Sequence, residues 1–174
     1  MNMLKSTDTP LVVYFHGWKS NNQSEKINAL SEKYEVIAPN IPEDFKEAHL
    51  AIKHFIDSRR DDWNRMILVG TSLGGYWANR FSNRLGMPAI LINPSCIPSV
   101  TIGVDYPDLF ATRSGPKIVL LARDDDVIDP TIADNMLRDY SQIVWFDEGG
   151  HRFNRIDIIS KYIDELFNQS INFK

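Results

Sequence analysis

Gly70-Thr71-Ser72-Leu73-Gly74 follows directly on the apolar run Met66-Ile67-Leu68-Val69, and no other segment constrains the chain so tightly. It has the G-x-S-x-G pattern of a strand that turns abruptly into a helix and lifts a serine hydroxyl clear of its sheet. The small residues have a physical purpose. Gly70 and Gly74 flank the serine so that strand and helix can approach closely, and a β-carbon at either place would clash. Downstream, Gly74, Ala78, Phe81 and Leu85 recur at spacings of three and four, one face of a helix.

Strand-like and helix-like runs alternate along the rest of the chain. The strand candidates are Leu11–Phe15, Glu35–Ala38, Met66–Val69, Ala89–Ile92, Lys117–Ala122 and Gln142–Phe146. Most are continuous aliphatic and β-branched runs, which suits strands buried on both faces of a parallel sheet. Phe45, Ala48, Ile52, Phe55 and Ile56 form one amphipathic stripe, and Ile156, Ile159, Ile163, Leu166 and Phe167 another. Asp129-Pro130 reads as an N-cap with proline at the first helical position, opening a helix through Leu137. The pattern predicts a three-layer, doubly wound α/β fold with a mainly parallel sheet of about six strands. The 174 residues are expected to form a single domain over 1–174.

Open sheets of this kind bind ligands beyond the carboxyl ends of their strands, where strand order reverses. The residues that follow the strand ends are therefore the ones to inspect. His16-Gly17-Trp18 follow the first strand, Ser72 the third, Arg123-Asp124-Asp125-Asp126 the fifth, and Gly149-Gly150-His151 the sixth. A serine, an acid cluster and a histidine in that chain order match the triad order of hydrolases with this topology. Ser72 is the candidate nucleophile and His151 the base that takes its proton. Asp125 is the candidate acid that orients the imidazole, because the apolar side chain of Val127, two residues on, should anchor the end of the loop. Asp124 is the next choice, and Asp129 is already explained as a helix cap. Oxyanion donors are expected from the backbone N–H groups of Leu73 and Trp18. Substrate contacts are expected from His16, Gly17, Trp18 and Tyr76.

Composition closes off other classes. A net charge of −4 with scattered Lys and Arg offers no basic stripe for nucleic acid. No apolar stretch approaches the roughly 20 residues that span a bilayer. The start Met1-Asn2-Met3-Leu4-Lys5 has no apolar h-region, and Cys96 is the single cysteine, so a cytoplasmic protein without disulfides is expected. The first strand is not followed by G-x-G-x-x-G, and no G-x-x-x-x-G-K-[ST] occurs, so no nucleotide cofactor is expected; no metal is expected either.

Tyr14-Phe15-His16-Gly17-Trp18, Gly70 to Trp77, Asn93-Pro94, Asp125-Asp126-Val127 and Glu148-Gly149-Gly150-His151 with Phe153 together resemble the small bacterial esterases of the YqiA and YcfP type. The order and spacing agree along nearly the whole chain. The resemblance implies a minimal α/β-hydrolase fold, a Ser72–Asp125–His151 triad, and esterase or thioesterase-like activity on a small molecule. A hydrolase fold that serves only as a binding scaffold is the alternative from another class. The connection from Asn93 to Pro116 is too short for a large cap domain and should hold a loop or one helix.

Overall fold

The computed structural model describes residues 9–172. Among these, six strands form one sheet in the order β2-β1-β3-β4-β5-β6, and every neighbouring pair is parallel. They are β1 (Leu11–Phe15), β2 (Glu35–Ile37), β3 (Met66–Thr71), β4 (Ala89–Ile92), β5 (Lys117–Ala122) and β6 (Gln142–Phe146). The principal helices are α1 (Glu25–Ser31), α2 (Phe45–Asp57), α3 (Leu73–Leu85), α4 (Pro98–Thr101), α5 (Pro130–Leu137) and α6 (Ile156–Asn172), with a 3₁₀ turn over Arg60–Arg65. The chain runs outward from β1 to β2, then crosses β1 to β3 and continues the other way. The reversal therefore lies between β1 and β3.

Alternation along the strands builds the layers. Leu11, Val13, Phe15 and Leu68 pack with Ala48, Ile52, Ile56, Trp77, Phe81 and Leu137 on one face. Val12, Tyr14, Ile67 and Val69 pack with Ile27, Leu30, Ile159, Ile163 and Leu166 on the other. Helices α2, α3 and α5 thus cover one side, and α1 and α6 the opposite one.

Two strand ends differ from the sequence reading. β2 stops at Ile37, and β3 runs two residues past Val69 because Gly70 and Thr71 still pair with Leu91 and Ile92. The turn is thereby compressed onto Ser72 alone. A β-carbon built on Gly70 would lie 2.0 Å from the Gly74 carbonyl oxygen, and one on Gly74 would lie 1.9 Å from that of Phe15. Both obstacles are backbone, so neither can rotate away. Gly74→Ala should cost more than about 4 kcal/mol or abolish folding, which a thermal melt will register.

The core also holds two lysines, Lys26 and Lys117, with no carboxylate partner among the described residues. Burial lowers both pKa values from 10.5 to about 8. Between these values the folded chain gives up a proton that the unfolded chain keeps, so stability rises with pH. Burial acts oppositely on acids that are neutral when protonated. It raises Cys96 from 9.0, and Tyr14 and Tyr106 from 10.0, to about 12. The unfolded chain ionises these groups first, so each lowers stability above its ordinary pKa. Denaturant unfolding should accordingly show stability climbing from about pH 8 to 9, on the order of 1 kcal/mol per lysine, and turning down above about pH 10.

Candidate active site

Ser72 sits at φ 58°, ψ −121°, a conformation that side chains rarely adopt. The surroundings hold it there. Its N–H donates to the Ile92 carbonyl at 3.0 Å, and its own carbonyl accepts from Ser95 N–H at 3.0 Å and Gly75 N–H at 2.9 Å. Gly75 is also confined, since a β-carbon there would come within 2.8 Å of Pro94 Cβ. The elbow is therefore clamped from β4 and from the segment after it. Leu73 begins the 13-residue helix α3, whose N-terminus is a region of positive partial charge.

His151 and Asp125 meet across the neighbouring strand ends. The imidazole Nδ1 lies 2.9 Å from Asp125 Oδ2 and 3.0 Å from Oδ1. The Asp125 side chain is wholly buried, and Oδ1 also accepts from Val127 N–H and Ile128 N–H, each at 2.9 Å. A carboxylate accepts only, so Nδ1 carries the ring proton and Nε2 presents its lone pair. Asp125 is the acid that meets the histidine, but the Val127 side chain does not anchor its loop. Val127 is 52% exposed, and the loop is held instead by the Val127 and Ile128 N–H groups and by buried Ile128.

Two other acids of this loop, Asp124 and Asp129, have separate work. Asp124 Oδ1 accepts from Gly150 N–H at 2.8 Å, a bond that holds its pKa below the usual carboxylate value. Asp129 caps α5 through Thr131, and the Thr131 hydroxyl and N–H lower its pKa.

On the loop after β1, His16 Nδ1 donates to the Gly17 carbonyl at 3.0 Å, and the ring is buried. His16 thus shapes its loop. Gly17 lies against the elbow, since a β-carbon there would come 3.5 Å from Ser72 Cβ. Trp18 is half-buried against the core. Among the described residues no protein acceptor takes the backbone N–H of Trp18 or Leu73. Tyr76, expected to wall a substrate pocket, is instead 1% exposed and packs edge-on to Trp77 and tilted against Tyr106. Ser72 Oγ makes no hydrogen bond to His151 among the described residues.

Asn93, directly after β4, ties three segments together. At φ 42°, its side-chain N–H₂ donates to the Gly150 carbonyl at 2.9 Å and the His151 carbonyl at 3.2 Å. Its Oδ1 accepts from Ala122 N–H at 2.9 Å. One buried amide therefore joins the ends of β4 and β5 to the histidine loop. The only signal in the sequence was an asparagine, tolerant of positive φ, directly after a strand.

The architecture is that of the α/β hydrolases. Est1E from Butyrivibrio proteoclasticus, in a structure with ferulic acid bound, superposes with a TM-score of 0.75 at 13% identity over 97% of this chain and 92% of its own. The esterase RhEst1 from a Rhodococcus species gives 0.69 at 14% identity, covering 92% of each chain. Within that class, residues 11–104 match the uncharacterised protein family UPF0227, and the chain belongs to it. A UPF0227 protein of Vibrio cholerae serotype O1 is 27% identical over 172 residues, covering 84% of this chain and 93% of its own. One from Shewanella woodyi is 26% identical over 167 residues, covering 82% and 91%.

Proposed function

We propose that the protein is a serine hydrolase that cleaves carboxylic esters of small acyl groups through an acyl-enzyme. The observation that carries this reading is the His151–Asp125 pair, 2.9 Å apart, set at the same sheet edge as the strained Ser72. Ser72 Oγ attacks the acyl carbon while its proton passes to His151 Nε2, and the carbonyl π electrons move onto oxygen. The backbone N–H groups of Leu73 and Trp18 stabilise that oxyanion. Collapse breaks the ester C–O bond, and His151 returns the proton to the leaving alcohol. Water then repeats the sequence on the acyl-enzyme and releases the acid. Asp125 stays ionised throughout and holds the imidazolium. Ferulic acid, bound to the related fold of Est1E, is a carboxylic acid of the kind an esterase releases.

The covering over the strand ends sets the acyl size. The connection after β4 contains one four-residue helix, α4. Val100 on α4 and Val127 after β5 are 72% and 52% exposed, so the protein covers neither apolar side chain, which supports a shallow pocket without a roof. A buried methylene adds about 0.8 kcal/mol, roughly fourfold in binding, only while something encloses it. With p-nitrophenyl esters of two to twelve carbons, kcat/KM should rise from acetate to about butyrate and then fall. A maximum at ten or twelve carbons would require a deep apolar channel and overturn the roofless pocket. Matched acyl thioesters in the same assay separate an esterase from a thioesterase, and hydrolysis of neither class, with Ser72 unmodified, would mark a scaffold.

A further inference from the structure

Helix α1 contributes a lysine that the proposed chemistry leaves unused. The Lys26 residue is 7% exposed, although lysine heads normally reach water. Its Nζ donates to Thr71 Oγ1 at 3.1 Å and to the Arg152 carbonyl. Thr71 immediately precedes Ser72, and Arg152 immediately follows His151. Two segments 80 residues apart in sequence, from Thr71 to His151, are thus joined by one side chain.

We propose that Lys26 is a positioning residue of the active site, its ammonium holding the segment that bears Ser72 and the loop that bears His151 at a fixed separation. This rests on the hydrolase reading above. Thr71 Oγ1 is itself oriented by the Tyr14 hydroxyl at 2.8 Å, so the strut ends on a fixed acceptor. No carboxylate among the described residues pairs with Lys26, and the nearby Arg152 charge works against a second cation. A salt bridge therefore does not explain the placement. Burial lowers its pKa to about 8, so it is cationic at neutral pH and its bonds to oxygen are charge-assisted. Among the described residues His151 itself is tied to Asp125 and, through its carbonyl, to Asn93, which lead to the ends of β5 and β4. Gly150 is bound to Asp124 and to Asn93, and Phe153 N–H to the Gly149 carbonyl. Lys26 is the tie that runs directly to the nucleophile strand.

The test compares Lys26→Met, which keeps the stem and removes the donors, with Thr71→Val, which removes the acceptor at the other end. Both should fold. Each should lower kcat on p-nitrophenyl butyrate about 10- to 100-fold with KM within twofold, because a displaced base slows chemistry more than binding. The double variant should lose little beyond the worse single one, as expected of two ends of one bond. Amide exchange at Gly150 and Phe153 should quicken in both. A folded Lys26→Met that keeps kcat within threefold, or a double variant whose losses multiply, overturns the strut. If Lys26→Met does not fold, Thr71→Val carries the same readouts. If the wild type hydrolyses neither ester nor thioester, the hydrolase reading fails, and the exchange measurement still decides whether Lys26 holds the loop.

Discussion

Alanine at position 72 should lower kcat by about 10⁶ and leave the fold intact. The size of the loss follows from what Ser72 alone supplies, the bond-forming oxygen; oxyanion donors and binding leave a residual rate above water. The intact fold follows from the turn. Both hydrogen bonds that clamp Ser72 to Ile92 and Ser95 are made by its backbone, and neither requires the hydroxyl. The cost in stability should therefore stay within about 1 kcal/mol. Ser72→Gly should be equally inactive and at least as stable, because glycine adopts φ 58° without strain. Burst and steady-state assays with a melting curve for each variant check both halves. Ester hydrolysis that survives in Ser72→Ala near the original rate would remove serine from the mechanism.

Asp125→Asn should cost about 10⁴ in rate with little change in shape. The structure explains the size. Oδ1 of Asp125 accepts from Val127 N–H and Ile128 N–H, while Oδ2 faces His151 Nδ1 at 2.9 Å. An amide has one accepting oxygen, and the two backbone donors will claim it. The NH₂ group then faces Nδ1, which must become an acceptor, and the ring proton moves to Nε2. The base would meet the serine hydroxyl with a proton already in place. Asp124→Asn should cost tenfold or less, since an asparagine oxygen can still accept from Gly150 N–H. A larger loss at Asp124 than at Asp125 would reassign the acid.

The parts legible in the sequence were those where the backbone allows one residue type or one chain order. Gly70 and Gly74 announced the elbow because their missing β-carbons face backbone at 2.0 and 1.9 Å. Long apolar runs gave the strands because a parallel sheet is buried on both faces. Asp129-Pro130 gave α5 because its cap is local, made to Thr131 two residues away. What escaped depends on contacts distant in sequence. Helix α1 is seven residues long and buries only Ile27, Leu30 and Lys26, too few positions for a periodic signal. Tyr76, expected among the substrate contacts, packs into the core because α3 is covered on most sides, which depends on elements distant in sequence. Asn93 and Lys26 act through Gly150 and Arg152, 57 and 126 residues away, and no local pattern encodes such a bond. At Asp125 the contact with His151 is present, but the loop that carries it is anchored by backbone N–H groups rather than by an apolar side chain.

The most direct measurement of the central claim is covalent capture of the nucleophile. The purified protein is treated with a fluorophosphonate, and its intact mass and peptide map are read beside those of Ser72→Ala and Asp125→Asn. The phosphonyl group should appear once per chain, on Ser72. It should be absent from Ser72→Ala and form far more slowly on Asp125→Asn. No adduct on the folded wild-type protein, or equal labelling of Ser72→Ala, would contradict a serine hydrolase.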